Sequence, residues 1–189
     1  MIRKILISLG WTIGLAGICL ITVFCGNRET GPAPNTSKLR LTSTAFQNNA
    51  SIPVRFTCDG SNVSPSLQWA DPPAGTRTFA LITEDPDAPM GTFGHWVVYN
   101  IPPDSRGLPE GHSSAAGKTA ATVVGRNDFG QSGYGGPCPP PGSAHRYFFR
   151  LYALDTTLSL GQGARRSELL KALQGHILAD GNLMGTYKR

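Results

Sequence analysis

The chain has 189 residues, of which 40% are hydrophobic and 15% are charged, and its formal net charge is +5. So low a charged fraction argues against a chain that is disordered throughout. The basic side chains form no run and, from residue 39 onward, 13 Lys and Arg are nearly balanced by 11 Asp and Glu, so nucleic-acid binding is disfavoured.

The amino terminus predicts an export signal or a membrane anchor. Arg3 and Lys4 precede an uncharged stretch at residues 5–24, which as a helix would span about 30 Å, the thickness of a bilayer core. Cys25 is a candidate for lipidation, although Phe24 stands where a lipoprotein signal carries a small residue. We interpret residues 1–25 as a signal sequence or membrane anchor, with an uncleaved anchor, a lipoprotein and, third, simple secretion left open.

This interpretation implies an exported protein, held through its N-terminus on the periplasmic or cell-envelope side of a membrane. Residues 26–38 contain Gly, Pro, Asn, Thr and Ser and predict a flexible tether. Residues 39–189 then remain for a folded region, and about 150 residues are enough for one ordinary domain.

The pattern of this region predicts an antiparallel β domain. Gly and Pro number 23 and 15 in the chain and are widely spread, which favours many turns and short strands. Between the turns lie segments that alternate apolar and polar residues or that are rich in β-branched and aromatic residues. The predicted strands are residues 39–46, 78–83, 95–101 and 146–154, with turn clusters at 71–75, 85–89 and 133–142.

One helix is predicted near the C-terminus, over residues 167–174. Ser167 is a good N-cap residue, Glu168 lies in the first turn, leucines recur at helical spacing, and Gly175 follows the last of them. The sequence therefore predicts a mainly β fold with a short helical region near its end.

Cys58 and Cys138 are the two cysteines of the predicted domain. An even number in an exported chain favours a disulfide, which would close a loop of about 80 residues and add roughly 3–5 kcal/mol to stability. Two separate buried thiols are the alternative. A zinc site is disfavoured, because no CxxC motif or Cys/His set surrounds either residue.

Three turn-rich segments carry compact polar chemistry. Asp85 and Asp87 lie in a Pro-containing turn, His95 opens a predicted strand, and a Pro- and Gly-rich loop leads into His145 and Tyr147. Imidazole and phenol groups can donate to an oxyanion, and a carboxylate can fix an imidazole tautomer. We expect these side chains to converge on one cavity. The alternatives are aspartates that cap turns and a histidine that is part of the core.

These segments resemble the two signature regions of the phosphatidylethanolamine-binding (Raf-kinase-inhibitor-like) family, in its bacterial YbhB/YbcL branch. The matching strings are DPDAP at 85–89, GHWVVYNIP at 94–102 and GGPCPPPG followed by HRY at 135–147. Further similarity at 56–65, 127–130, 175–179 and 185–187 occurs in the same order, so that the resemblance extends over residues 39–189.

The resemblance implies a large central antiparallel sheet, a smaller second sheet and a short helical region near the C-terminus. It also implies a pocket for small anions such as phosphate, with phospholipid head groups bound by some members. Tyr187 matches a C-terminal pocket tyrosine of some relatives, and Arg146 is expected to pair with a carboxylate beside the site. The ligand-binding residues that it implies are Asp85, Asp87, His95, Gly136, Pro137, His145 and Tyr147.

We therefore expect an exported ligand-binding protein and not an enzyme. The sequence contains no HExxH or GxSxG motif, and the family that it resembles uses these residues without a metal or another cofactor. The alternative is a protein that captures a partner, such as a protease, with the rim of its pocket, which rests on analogy with relatives. A homodimer is also left open.

Overall fold

The computed structural model describes residues 37–112 and 122–189. The predicted signal sequence or anchor at 1–25, its Cys25, and nearly all of the predicted tether at 26–38 lie outside these residues. Within the described ranges, no helix has both the length and the apolar character that crossing a membrane requires.

The larger of two sheets contains six strands, and its core strands are antiparallel. These strands are β1 (Ser37–Lys38), β4 (Thr78–Asp85), β5 (Phe93–Ile101), β7 (Val123–Val124), β8 (His145–Leu154) and β9 (Ile177–Tyr187). The strand order is β1-β9-β8-β4-β5-β7, and within this sheet β1 alone is parallel to its neighbour.

The smaller sheet is antiparallel, in the order β2-β3-β6. Its strands are β2 (Arg40–Thr42), β3 (Leu67–Ala70) and β6 (Gly107–Leu108), and a 3-10 turn (Val54–Phe56) and one α-helix, α1 (Arg166–Ala172), complete the described elements. The predicted fold class, mainly β with a large sheet, a smaller sheet and a short helix near the C-terminus, is confirmed.

Both faces of the large sheet are covered. On one face the small sheet contributes Trp69, whose ring lies 5.4 Å from that of Phe79. On the other face α1 packs Leu169 and Leu173 into a second apolar cluster. Every residue of β4 is consequently buried. Burial on both sides explains why the sequence of this strand is a continuous apolar run and does not alternate.

The boundaries of two predicted elements are wrong. The strand predicted at 39–46 is limited to β2, residues 40–42. The helix begins at Arg166 and not at Ser167, with Arg165 in the N-cap position. The Glu168 carboxylate accepts a hydrogen bond from the backbone N–H of Arg165 at 2.7 Å. The Glu168 side chain, in the first turn of the helix, therefore provides the N-terminal capping that was expected from the Ser167 hydroxyl.

Strand β9 was not among the strands that the sequence pattern predicts, although it is the longest of those described, with 11 residues. Its glycines remove the alternating signal. A Cβ on Gly181 would lie 2.7 Å from the Leu39 carbonyl oxygen, and one on Gly185 would lie 2.5 Å from Cγ1 of Ile52. Glycine at these positions allows the segments before β3 to pack directly on the strand.

The topology brings the predicted site residues to one end of the large sheet. Because β5 and β8 are both antiparallel to β4, the beginnings of β5 and β8 lie beside the end of β4. Strand β9 ends there too, since Tyr187 pairs with His145. The chain enters the sheet toward the other end, where Ser37 pairs with Ala179.

The disulfide prediction is confirmed. Cys58 and Cys138 are joined with an S–S distance of 2.06 Å. The backbone N–H of Cys58 also donates to the Pro137 carbonyl at 3.1 Å. The bond therefore fastens the Pro-rich loop before β8 to the segment that follows the 3-10 turn.

Candidate functional site

A cavity of about 500 Å³ opens at the end of the large sheet where β4 ends and β5 and β8 begin. Its polar floor contains Asp85, His95 and His145, and the disulfide-bonded Cys138 forms part of its wall. These three of the seven predicted ligand-binding residues line the cavity directly.

His145 and Asp85 form a buried pair. The imidazole Nδ1 lies 2.8 Å from Oδ2 of Asp85, and the two side chains are 9% and 4% exposed. The other carboxylate oxygen accepts the backbone N–H of Asp87 at 2.8 Å. Both oxygens of Asp85 thus accept hydrogen bonds, which fixes the imidazole with its Nε2 edge as the part left for a ligand.

His95 is held by a backbone carbonyl instead of a carboxylate. Its Nδ1 lies 2.7 Å from the Gly135 oxygen, and its ring meets the Tyr147 ring edge-on, with centroids 5.2 Å apart. Burial lowers the pKa of His95 below its ordinary value of 6.5, although the Gly135 carbonyl and the Asp85 carboxylate oppose this shift. A neutral imidazole is therefore favoured near pH 7.

Tyr147 lies behind the histidines and not on the cavity lining. The residue is fully buried, and its hydroxyl makes no hydrogen bond within the described part of the chain. Burial, reinforced by the nearby negative charge of Asp85, raises the pKa of the Tyr147 phenol. The phenol therefore remains protonated near neutral pH.

Asp87 supports the site from outside the cavity. Its two oxygens accept hydrogen bonds from Nε and Nη2 of Arg146, at 2.9 and 2.7 Å, and the backbone N–H of Arg146 donates as well. These bonds lower the pKa of Asp87 to about 2. The expectation that Arg146 pairs with a carboxylate is confirmed, and the pair joins the segment just after Asp85 to the residue just after His145.

Gly136 and Pro137 shape the wall without lining the cavity. Gly136 borders a second, smaller cavity of about 190 Å³ together with Asn62, whose Oδ1 accepts the Gly136 N–H at 2.7 Å. A Cβ at Gly136 would lie 2.4 Å from the Phe56 oxygen, so only glycine fits there. Pro137 contributes its carbonyl to the backbone of Cys58, as described above.

Tyr187 does not reach the cavity lining either. Its hydroxyl donates to Oδ2 of Asp59 at 2.8 Å, and Arg189 lies 3.1 Å from the other oxygen of the same carboxylate. The C-terminal residues are thereby fastened to the segment next to the disulfide.

Sequence reasoning missed the apolar rim of the cavity. Met90 is fully exposed and Phe129 is 45% exposed at its mouth, and the Phe129 and Phe93 rings meet at 4.7 Å. Asp128 also lines the rim and accepts the backbone N–H of Gly94 at 2.6 Å. The string NDFG at 127–130, part of the family resemblance, is the sequence signal that could have located Asp128 and Phe129 at the site.

We also considered a second groove and a metal site as candidate functional sites, and neither is supported. An open groove of about 660 Å³ crosses the small sheet, bordered by Arg40, Gln68 and Arg106, but none of the described residues that line it is a histidine, an aspartate or a glutamate. Among residues 37–112 and 122–189, no three His, Cys, Asp or Glu side chains are grouped as metal ligands would be.

Comparisons with known proteins agree with the fold and cover nearly all of the described residues. The family model described as phosphatidylethanolamine-binding protein matches residues 42–188. The chain is 50% identical over 151 residues to a UPF0098 protein of Methanothermobacter thermautotrophicus, covering 80% of this chain and 99% of the relative. It is 46% identical over 153 residues to a UPF0098 protein of Aquifex aeolicus, covering 80% and 89%.

Solved structures give the same result. The crystal structure of YbcL from E. coli, described as a member of the mammalian PEBP family, superposes with a TM-score of 0.76 at 32% identity, covering 81% of this chain and 99% of that one. A PEBP homologue from Chlamydia trachomatis gives 0.73 at 40% identity, covering 82% and 99%. The fold, the order of the motifs and these matches lead to one conclusion: the chain belongs to the phosphatidylethanolamine-binding protein family.

Proposed function

We propose that this protein binds a small anion or a phosphorylated head group in the cavity floored by Asp85, His95 and His145. The observation that carries the proposal is the buried contact between His145 and Asp85, at 2.8 Å, because it fixes the His145 imidazole in the cavity lining with its Nε2 edge left for a ligand. Membership of a family described as phosphatidylethanolamine-binding supports the same ligand class. A volume of about 500 Å³ is within the range of small-molecule sites.

The test is calorimetric titration of the purified protein with inorganic phosphate and with O-phosphoethanolamine. We expect saturable binding that weakens at least about tenfold when His95→Ala and His145→Ala are combined. His176→Ala is the matched control, because His176 is also paired with a carboxylate, Asp155 at 2.8 Å, but lies outside the cavity. Absence of saturable binding to either ligand would reject the proposal.

The proposal is for binding without catalysis. Among the described residues that line the cavity there is no serine, lysine or free thiol, and the Thr92 hydroxyl makes no hydrogen bond to either imidazole. None of these lining hydroxyl or thiol groups is thus hydrogen-bonded to an imidazole base, which supports binding without catalysis. Release of phosphate from a phosphomonoester by the purified protein, lost in His145→Ala, would overturn this assignment.

A second candidate function is capture of a protein partner, such as a protease, by the rim. The observation in its favour is the exposure of Met90 and Phe129 at the cavity mouth. Inhibition in a panel of proteases, abolished by Met90→Glu, would support this function. No inhibition at micromolar concentration would set it aside.

We also propose export and attachment through residues 1–25, on the sequence arguments given above. The intact mass of the protein extracted from membranes provides the test. A lipid-modified chain beginning at Cys25 identifies a lipoprotein, and the unprocessed mass identifies an anchor. Recovery of an unmodified chain in the cytosolic fraction would contradict both.

A further inference from the structure

The disulfide between Cys58 and Cys138 lies where a small molecule can approach it. Both cysteines are partly exposed, and both line the smaller cavity of about 190 Å³. Cys138 also lines the larger cavity. Thiol–disulfide exchange requires that a thiolate reach one of the two sulfur atoms, so exposed disulfides are the labile ones. This bond is therefore of the exposed kind.

The structure gives the two sulfur atoms different surroundings. Nη1 of Arg189 lies 3.9 Å from Sγ of Cys138, while Nε of the same guanidinium lies 3.1 Å from Oδ1 of Asp59. In the part of the chain that the structure describes, no lysine or arginine donates to Sγ of Cys58 in this way. A neighbouring guanidinium favours the thiolate form of a cysteine, and a more stable thiolate leaves a disulfide more readily. Cys138 is consequently the better leaving group.

The smaller cavity suits a small peptide thiol. Besides the disulfide it is lined by the amide side chains of Asn62 and Gln131, the Phe129 ring and the backbone of two glycines, and none of these groups is charged. Amide side chains both donate and accept, as peptide groups do. The lining can therefore bind the peptide groups next to a cysteine without selecting for a charge.

Noncovalent contacts keep the two cysteines close to each other after the bond between them is broken. Three hydrogen bonds join residues 56–62 to the loop before β8: the Cys58 N–H to the Pro137 oxygen at 3.1 Å, the Gly136 N–H to Oδ1 of Asn62 at 2.7 Å, and the Tyr134 hydroxyl to the Phe56 oxygen at 2.8 Å. None of them requires the disulfide. A thiolate released on Cys138 therefore stays near Cys58, which makes the exchange reversible.

We infer that the Cys58–Cys138 bond is a reversible thiol-exchange site, which takes up a small thiol of the glutathione class as a mixed disulfide on Cys58. The small thiol gives its proton to solvent, its sulfur attacks Sγ of Cys58, and a new S–S bond forms as the Cys58–Cys138 bond breaks. The electron pair of the broken bond leaves on Sγ of Cys138, beside Arg189. Attack by this thiolate on Cys58 reverses the step and releases the small thiol. The inference does not depend on anion binding in the larger cavity.

The first experiment measures the exchange in the folded protein. The natural protein is incubated with glutathione at about pH 8, near the ordinary pKa of a thiol, in water and at urea concentrations below its unfolding transition. Iodoacetamide then blocks the released thiols, and peptide mapping separates Cys58 and Cys138 from Cys19 and Cys25. We expect exchange at a rate that does not rise with urea. No exchange without urea, or a rate that follows the unfolded fraction, would overturn the inference, because the bond would then react only after unfolding.

The second experiment locates the adduct. The reaction is stopped early with iodoacetamide, and mass spectrometry of the peptides distinguishes glutathione on Cys58 from glutathione on Cys138. We expect at least about fivefold more adduct on Cys58, with the carboxamidomethyl group on Cys138, because the better leaving group determines which sulfur is attacked. Equal amounts of the two adducts, or more on Cys138, would contradict the assigned direction.

The third experiment tests the guanidinium. In Arg189→Gln we expect slower exchange and a ratio of the two adducts that falls to about one, whereas Arg189→Lys keeps a positive charge and most of the preference. Arg40→Gln is the matched control, because Arg40 is also an exposed arginine beside an aspartate, Asp71 at 3.8 Å, but belongs to the small sheet. It should change neither the rate nor the ratio. An unchanged rate and ratio in Arg189→Gln would overturn the role of the charge at Cys138.

Discussion

Asp85 accepts two hydrogen bonds with its two oxygens, one from the His145 imidazole and one from the backbone of Asp87. An asparagine cannot accept at both positions, since one of its two terminal atoms is an NH₂ group. We predict that Asp85→Asn weakens phosphate binding at least about tenfold and lowers the free energy of unfolding by about 1–3 kcal/mol. Calorimetry and urea unfolding measure the two effects.

Asp155→Asn is the matched control for that substitution. Asp155 also pairs with a histidine, His176, but both side chains are nearly half exposed. This substitution should change neither ligand affinity nor stability by a measurable amount. A normal phosphate affinity in Asp85→Asn would contradict the role that we give to the buried pair.

For Asp87 we predict an effect on stability and not on ligand binding, because its side chain contacts Arg146 and does not line the cavity. Its pKa is lowered from 3.8 to about 2, so the stabilisation from this pair is complete above about pH 4 and is lost as the pH falls toward 2. We predict that Asp87→Asn removes part of the stability difference between about pH 4 and about pH 2, and changes phosphate affinity at pH 7 less than about threefold. Urea unfolding at the two pH values and calorimetry at pH 7 provide the measurements. A large loss of affinity would place Asp87 in the binding site.

The contrast between these aspartates marks the limit of sequence reasoning at this scale. The residue types and their order were enough to predict that Asp85, His95, His145 and Tyr147 converge. They predicted that Arg146 pairs with a carboxylate, but not that this carboxylate is Asp87 or that Asp87 lies outside the cavity lining, because that depends on where β4 ends and its turn begins. The depth of Tyr147 behind His95 likewise depends on ring packing, which no local pattern contains.

In strand β9, two glycines lie where other parts of the chain approach so closely that a Cβ would not fit. A Cβ at position 185 would lie 2.5 Å from Ile52 and 2.8 Å from Phe46, both buried. We predict that Gly185→Ala lowers the free energy of unfolding by about 1–3 kcal/mol through overpacking, as measured by chemical unfolding.

Gly161→Ala is the control for this substitution: Gly161 lies in the loop between β8 and α1, a Cβ there would meet no atom within 4 Å, and the residue does not require a left-handed backbone. It should be close to neutral. If the two substitutions lowered the free energy of unfolding equally, the side chains of Ile52 and Phe46 would have to move away from the new Cβ at position 185 without loss of stability.

The same glycines explain which elements the sequence could predict. Strands β4, β5 and β8 are rich in β-branched and aromatic residues, and each was located within a few positions. Strand β9 contains Asp180, Gly181 and Asn182 in succession, which resembles a turn. Its extended shape comes from pairing with β8 along its whole length, a long-range effect that a local pattern does not record.

At the scale of the whole domain, the disulfide closes a long covalent loop, because Cys58 and Cys138 lie 80 positions apart. We predict that Cys58→Ala combined with Cys138→Ala lowers the free energy of unfolding by about 3–5 kcal/mol. Phosphate affinity should also fall, because Cys138, Pro139 and Pro140 form part of the cavity wall. Urea unfolding and calorimetry measure both effects.

A reducing agent should likewise lower the free energy of unfolding and the phosphate affinity of the natural protein. The double variant should not respond further to the reductant, which separates this bond from effects on Cys19 and Cys25. An unchanged affinity and stability after complete reduction would show that noncovalent contacts alone hold the loop.

The two ends of the described domain lie at different distances from the cavity, so they are not equally suitable for attaching the protein to a surface or a tag. Ser37 pairs with Ala179, eight positions along β9 from Tyr187, so the chain enters the sheet about 26 Å from the strand end that borders the cavity. Arg189, in contrast, is bonded to Asp59 beside the disulfide. Immobilising the protein on a sensor chip from its amino-terminal side should therefore leave the binding mouth open, whereas an affinity tag fused after Arg189 would crowd it.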